Sequence, residues 1–280
     1  MKKGWLSVLL ILILAGCSTK TSYYFLDWVI EWKVDEYVSL NSAQSTQLEK
    51  ALDDFLYWHR SQELIQYSQQ LQQISNQLKQ GTLTPQRWVE EINQAKIHGY
   101  RAFKMLLPSI TPIIASFSDK QVMELLDNIE QAEIDIQEKY HNKSKQAVLD
   151  DADERINKLF KKWLGRLSTA QKEAIHQFNL HSVSTLPLWL EYRQAWTVQL
   201  ALALEQRQNQ ALLRSRLTSL VTESDKLKSV QYQKDLRSNL MAFGELLLKV
   251  HGLASVKQKK RFNKKLDELI QDLAEMSQDI

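Results

Sequence analysis

The chain has 280 residues, with 36 basic and 33 acidic side chains, a formal charge of +3, and only seven glycines, four prolines and one cysteine. A charge so nearly balanced excludes a protein that works by bulk attraction to a polyelectrolyte, which sets nucleic acid aside as a partner. One cysteine excludes a disulfide framework and a thiolate metal site, and the scarcity of glycine and proline excludes a turn-rich β architecture; what remains is an all-α protein.

Lys2 and Lys3 precede an apolar stretch, Trp5 to Ala15, broken by Ser7 and too short to span a bilayer as a permanent helix. It reads as a secretion signal. The stretch closes on Leu14-Ala15-Gly16-Cys17, which resembles the lipobox of bacterial lipoproteins at all four positions. That resemblance implies diacylation of the Cys17 sulfur, cleavage between Gly16 and Cys17 that removes residues 1–16, and acylation of the new amine. One acyl chain holds a protein only marginally, whereas several on one residue make the attachment practically permanent. Ser18 stands where an aspartate would commonly signal retention at the inner membrane, so the resemblance implies the outer membrane of a Gram-negative bacterium, facing the periplasm. Loss of Lys2 and Lys3 from the 36 basic side chains leaves 34 against 33 acidic.

Residues 17–22 read as a lipidated tether, of which Ser18 to Ser22 reaches roughly 18 Å at full extension. Residues 23–280 read as one helical domain. Its first segment, Tyr23 to Val38, is the densest aromatic patch in the chain, with Phe25, Trp28, Trp32 and Asp35 at helical spacing. Two readings compete there. One is an interfacial helix whose rings lie among lipid headgroups. The other is a first core helix, favoured by the carboxylates Asp27, Glu31, Asp35 and Glu36, which an anionic surface would repel.

A long amphipathic pattern from Asn41 to Gln80 ends at Gly81. Thr84-Pro85 opens the next helix with a cap and a first-turn proline, and Pro108 and Pro112 predict a kinked connector at its end. Further helices start at Ser118, after a polar gap at 141–146, and at Ser168, the last running to about His181. The Ser184 to Pro187 corner introduces Leu188 to Leu220, interrupted near Gln208. One more helix closes at Gly252, and the last carries Phe262, Leu266, Leu269, Ile270, Leu273 and Met276. Connections under ten residues predict antiparallel neighbours in a compact multi-helix bundle. Residues 142–150 are the best place to divide it.

Four helix starts share one grammar: Asn41 with Gln44, Ser118 with Gln121, Ser168 with Gln171, and Ser255 with Gln258. Each sets a capping oxygen three residues before a glutamine, so that each side chain can satisfy an orphan amide at the other's position. Their spacing is irregular, which argues against a solenoid. Leu167-Ser168-Thr169-Ala170-Gln171 also resembles the Leu-Thr-x-x-Gln motif of Spy-type periplasmic chaperones, with Ser for Thr. Broader blocks, Tyr23-Tyr24-x-Leu26-Asp27-Trp28, Trp58-His59-Arg60 with Glu63-Leu64 and Tyr67, Trp163-x-Gly165-x-Leu167, and Trp189 with Arg193 and Trp196, resemble an uncharacterised family of proteobacterial lipoproteins. That likeness implies a helical lipoprotein and carries no catalytic residue across.

Signs of chemistry are sparse. His59 and Glu63 lie one turn apart with Arg60 and Tyr67 nearby, a set that suits either a polar pocket with two metal ligands or, since no second acidic or histidine pair completes it, an interhelix hydrogen-bond network. His98, His141 and His251 stand isolated, and His176 and His181 fall on different faces. No nucleophile elbow, phosphate-cradling loop, zinc motif or dinucleotide fingerprint is present, so the expectation is a protein with no catalytic residues, metal or cofactor. Lys257, Lys259, Lys260, Arg261, Lys264 and Lys265 crowd the start of the last helix, where the macrodipole disfavours them; they suit either solvent, or anionic lipid or an acidic partner. The sequence therefore predicts a binding or scaffolding protein of the cell envelope, held to the membrane by its acyl chains, with a Spy-like chaperone or a hydrolase or metal-dependent enzyme as alternatives.

Overall fold

Helix succeeds helix because the chain offers few residues that interrupt one. The computed structural model describes residues 19–278. In chain order these form α1 (Thr19–Tyr24), α2 (Leu26–Asp35), α3 (Ser42–Trp58), a π-helical turn (His59–Glu63), α4 (Leu64–Lys79), α5 (Pro85–Ala115), α6 (Asp119–His141) and α7 (Lys145–Leu164). After these come α8 (Thr169–His181), α9 (Leu186–Glu205), α10 (Gln210–Thr222), a 3-10 turn (Ser224–Leu227), α11 (Val230–Gly252) and α12 (Val256–Met276). No strand occurs among the described residues, and the fold is all-α. Gly16 and Cys17, the expected positions of cleavage and lipidation, lie outside the described residues, as do residues 1–15.

Helix α5 is the axis. At its C-terminal half, Leu107 and Ala115 pack with Leu200, Ala203 and Leu204 of α9 and Leu213, Leu217 and Leu220 of α10. There also Ile113 meets Leu48 and Leu52 of α3. At its N-terminal half, Trp88 lies 6.0 Å from Phe243 of α11. Gly244 makes that crossing possible, since a Cβ there would come within 3.0 Å of Pro85 Cα. A separate core joins Phe160 and Leu164 of α7, Ile175 of α8 and Leu246 and Val250 of α11. Another joins Tyr23 of α1 and Leu56 and Leu64, flanking the π turn, to Leu269, Leu273 and Met276 of α12. Trp163 touches both of these, so the cores run into one another.

Three expectations fail here, each for a physical reason. The tether does not extend: Thr19 to Tyr24 is helical, Thr19 is buried, and Lys20 forms an ion pair with Glu275 of α12. The prolines do not break α5, which runs unbroken for 31 residues with Pro108 and Pro112 inside it. Both prolines are exposed and sit one turn apart, so the carbonyls that lose an amide partner face water, which supplies the missing donor. Residues 142–150 do not divide the bundle, because helices before the segment pack on helices after it: α5 on α10 and α11, α4 on α12, and α6 on α9.

All four expected capping boxes form, with side chain and backbone reciprocally bonded in each. Moreover, they meet in pairs. The amide of Gln121 donates to Oε1 of Gln44 at 2.6 Å and to the carbonyl of Ser39 at 2.9 Å. The amide of Gln258 likewise donates to Oε1 of Gln171 at 3.0 Å and to the carbonyl of Arg166 at 2.9 Å. Ser39 and Arg166 each lie two residues before the partner's cap, so the two pairs are built alike. The second is the more deeply placed, Gln171 being 0% exposed. Gln171→Ala should therefore cost about 2 kcal/mol by stranding buried groups on Gln258 and Val250, whereas Ser118→Ala, at the more exposed pair, should cost about 1 kcal/mol. Urea unfolding of the two variants measures the difference.

Candidate functional site

The π turn decides where the polar residues point. An extra residue in the turn, closed by the Leu64 amide on the His59 carbonyl, rotates His59 and Glu63 inward together, to 4% and 2% exposure. Tyr67, one turn further along, faces the same interior. Three of the four residues singled out from the sequence thus converge; Arg60, half-buried, acts through its charge, which favours neutral His59 and ionised Tyr23.

Two groups make up the network. In the first, His59 is held on both sides: Nδ1 lies 2.8 Å from the hydroxyl of Tyr23 and Nε2 3.1 Å from the hydroxyl of Tyr67. In the second, Arg101 of α5 donates from Nε to Glu63 Oε1 at 2.5 Å and from Nη2 to Oε2 at 3.0 Å, a bidentate clasp on a carboxylate that is 3% exposed. His98, one turn before Arg101, completes it. The ring of Tyr67 stands edge-on to that of His98 at 4.8 Å and joins the two groups.

The tautomer of His98 is set by its partners. Nε2 lies 3.1 Å from Oε1 of Gln70, which only accepts, so Nε2 carries the proton. Nδ1 is then free to accept from Nη2 of Arg101 at 2.6 Å. Gln70 turns its amide to the carbonyl and carboxylate of Glu91, at 2.8 and 2.9 Å, and Gln73 and Gln77 donate to the same carboxylate. Glu91 borders a cleft of about 390 Å³ lined also by Gln73, Gln77, Arg87, Glu90 and Gln94. A continuous polar spine thus runs from Tyr23 to the wall of that cleft.

Burial governs the ionisation of these groups. It pushes His59 down to about 4, against the opposing pull of Glu63. It pushes both phenols, Tyr23 and Tyr67, well above their usual range. His98 also falls, through burial and the Arg101 charge, although Glu63 pulls the other way. Burial alone would raise Glu63, but the hydrogen bonds and charge of Arg101, with the His98 ring beside it, outweigh burial and hold the carboxyl below its ordinary value.

Sequence reasoning missed Tyr23, Gln70, Glu91, His98 and Arg101. A signal existed for the last two, since His98 and Arg101 are three apart on one helix face. Nothing in the sequence pointed that face at Glu63. The Trp189, Arg193 and Trp196 set works as a brace: Arg193 lies 5.0 Å from the Trp196 ring and 3.0 Å from a Glu133 oxygen on α6. His176 pairs with Asp153 at 2.6 Å, linking α8 to α7. Of the cationic cluster, Lys257, Lys260, Arg261 and Lys264 share one exposed stripe of α12, while Lys259 and Lys265 are half-buried. That stripe begins at the end of α12 remote from α1, about 27 Å along the helix from Glu275.

Among the described residues no helix is long and apolar enough to cross a membrane, and no group of three or more His, Cys, Asp or Glu is placed to hold a metal ion. A family model described as a family of unknown function (DUF6279) matches residues 36–233. The match takes in His59, Glu63, Tyr67, Glu91, His98 and Arg101, and leaves out Tyr23. No curated protein and no solved structure matches the chain significantly.

The depressed histidines make stability depend on pH. Unfolded His59 takes a proton near 6.5 and folded His59 only near 4, so its contribution is complete above about pH 6.5 and is lost as pH falls toward 4, at up to about 1.4 kcal/mol per pH unit. His59→Gln keeps a hydrogen-bonding amide without the titration and should flatten part of that fall, read as urea midpoints between pH 7.5 and 4.5. Separately, Arg101→Met leaves Glu63 buried without its guanidinium and should lower stability by about 3 kcal/mol at pH 7.5, measured by the same unfolding assay.

Proposed function

The chain belongs to the DUF6279 family, whose function is unknown, and from that premise we propose that it is a lipid-anchored, non-enzymatic binding or scaffolding protein of the cell envelope, held by acylated Cys17 at the periplasmic face of the outer membrane. The observation that carries the non-catalytic part is the saturation of the polar network. Both nitrogens of His59 and both oxygens of Glu63 already have protein partners inside the bundle. A general base or a metal ligand needs a lone pair turned toward a reacting group or an ion. These lone pairs are spent on holding α1, α4 and α5 in register. The network is thus a structural device, and the surfaces left for function are the outer faces of the helices.

The anchoring part is supported by the Leu14-Ala15-Gly16-Cys17 sequence and by the short reach of chain beyond it. Because α1 starts at Thr19 and packs on α12, Ser18 alone separates the proposed acyl site from the folded body. A body so closely tied presents a fixed part of itself to the membrane, which suits a scaffold better than a long-leashed enzyme. Labelled palmitate should enter the protein in cells and fail to enter a Cys17→Ala variant, and crosslinking in intact envelopes should recover the same protein partner on repetition. Absence of label would remove the anchor, and recovery of lipid alone would remove the scaffold.

A further inference from the structure

Helix α2 has two apolar faces, and the bundle uses only one. Leu26, Ile30 and Val34, at one-turn spacing, pack against the cores beneath. On the far side Tyr24, Phe25, Trp28, Val29 and Trp32 are 65, 58, 63, 37 and 49% exposed. The core reading of this segment therefore fails for its largest side chains. The rings are ordered: Trp28 and Trp32 stack at 6.5 Å with their planes 12° apart, and the ammonium of Lys33 sits 4.4 Å from the centre of the Trp32 ring. A contiguous exposed aromatic face of this kind needs a cover, since water solvates it poorly.

Three of the four carboxylates that argue for burial lie elsewhere on the helix. Asp27, Glu31 and Asp35 repeat every four residues along a flank distinct from the rings. Burial raises Glu31, and the charges of Glu49 and Asp53 on α3 add to it, so this acidic edge turns toward α3. The fourth, Glu36, follows Trp32 by one turn, and its charge is met at 2.7 Å by Lys33, the same ammonium that sits over the Trp32 ring.

The occupant is indicated by position and by side-chain type. Tyr24 stands seven residues beyond Cys17, and with α1 helical the stretch between them spans at most about 16 Å. If the Cys17 acyl chains lie in a bilayer, this face cannot be far from the lipid surface. Trp and Tyr rings, apolar with one polar atom at the edge, favour the zone between headgroups and acyl chains over either water or hydrocarbon. We propose that the Tyr24–Trp32 face seats in the headgroup and acyl boundary of a phospholipid bilayer, as a second attachment that fixes how the bundle is oriented against the membrane. The proposal rests on the lipid-anchored reading of Cys17, and its test separates the two.

Full-length processed protein is reconstituted in phosphatidylethanolamine and phosphatidylglycerol vesicles whose acyl chains carry bromine, and tryptophan emission is compared with that in unbrominated vesicles. Bromine quenches only rings that it touches. The expected result is quenching in the wild type that is lost in the Trp28→Phe/Trp32→Phe variant, which keeps the aromatic face and the fold. Acyl mass on Cys17 is measured on the same sample. An acylated, vesicle-bound protein with unquenched emission overturns the proposal and leaves the anchor standing. Blue-shifted emission without quenching also overturns it, because a protein partner or a second copy then covers the rings. Quenching in a protein that carries no acyl chain upholds the aromatic contact and removes the anchor.

Discussion

Every helix starts with amides that have no partner, and the arrangement of this bundle depends on how four of those starts are satisfied. A capping box ordinarily closes on itself, within four residues of chain. Here each glutamine also reaches a second box, Gln44 to Gln121 and Gln171 to Gln258, 77 and 87 residues away along the chain. A local device for ending a helix thereby becomes a long-range joint. The start of α3 is fixed against the start of α6, and the start of α8 against the start of α12. In a chain without disulfides, these polar joints set the relative heights of helices that apolar packing alone would let slide.

The buried network has the corresponding role midway along the helices. A carboxylate at 3% exposure is tolerated only where its charge is met, and Glu63 meets Arg101 in one geometry of α4 against α5. His98 and Gln70 extend the constraint to Glu91, and Tyr67 extends it to His59. The cost of misplacing any of them is an unsatisfied polar atom in the interior, so the network specifies an arrangement more than it adds stability. Both nitrogens of His59 are committed in the same way, one to Tyr23 and one to Tyr67.

Much of the fold was legible because its signals are local. Capping boxes, the Thr84-Pro85 start, the break near Gln208 and the helical stripes each depend on residues within a few positions of one another. What failed was long-range. Pro108 and Pro112 predict a break by their chemistry, and only their exposure, a tertiary property, rescues the helix. His59, Glu63 and Tyr67 were visible as a set through their spacing, yet the residues that give the set its meaning arrive from another helix and from the N-terminus. For the aromatic segment, repulsion of the carboxylates by an anionic surface argues for burial, yet Asp27 and Glu31 stand off the ring face and leave the rings exposed. A helix of ten residues has room for three faces, one each for the core, the acids and the tryptophans.

Tyr23 connects these themes. It belongs to the six-residue helix just beyond the proposed acyl site, and its neighbours Tyr24 and Phe25 begin the exposed aromatic face. Its own side chain turns the opposite way, packing with Leu269 and Leu273 of α12 and placing its hydroxyl 2.8 Å from His59. A helix of that length is far too short to hold its shape unaided, so α1 depends on that phenol and on the Lys20 to Glu275 pair. The segment nearest the proposed membrane side of the molecule is therefore ordered by the same buried network that sets α4 against α5. Loss of His59 as a partner loosens both the interior register and the base of the aromatic face. The polar spine is what allows a short leader to present its rings in a fixed direction.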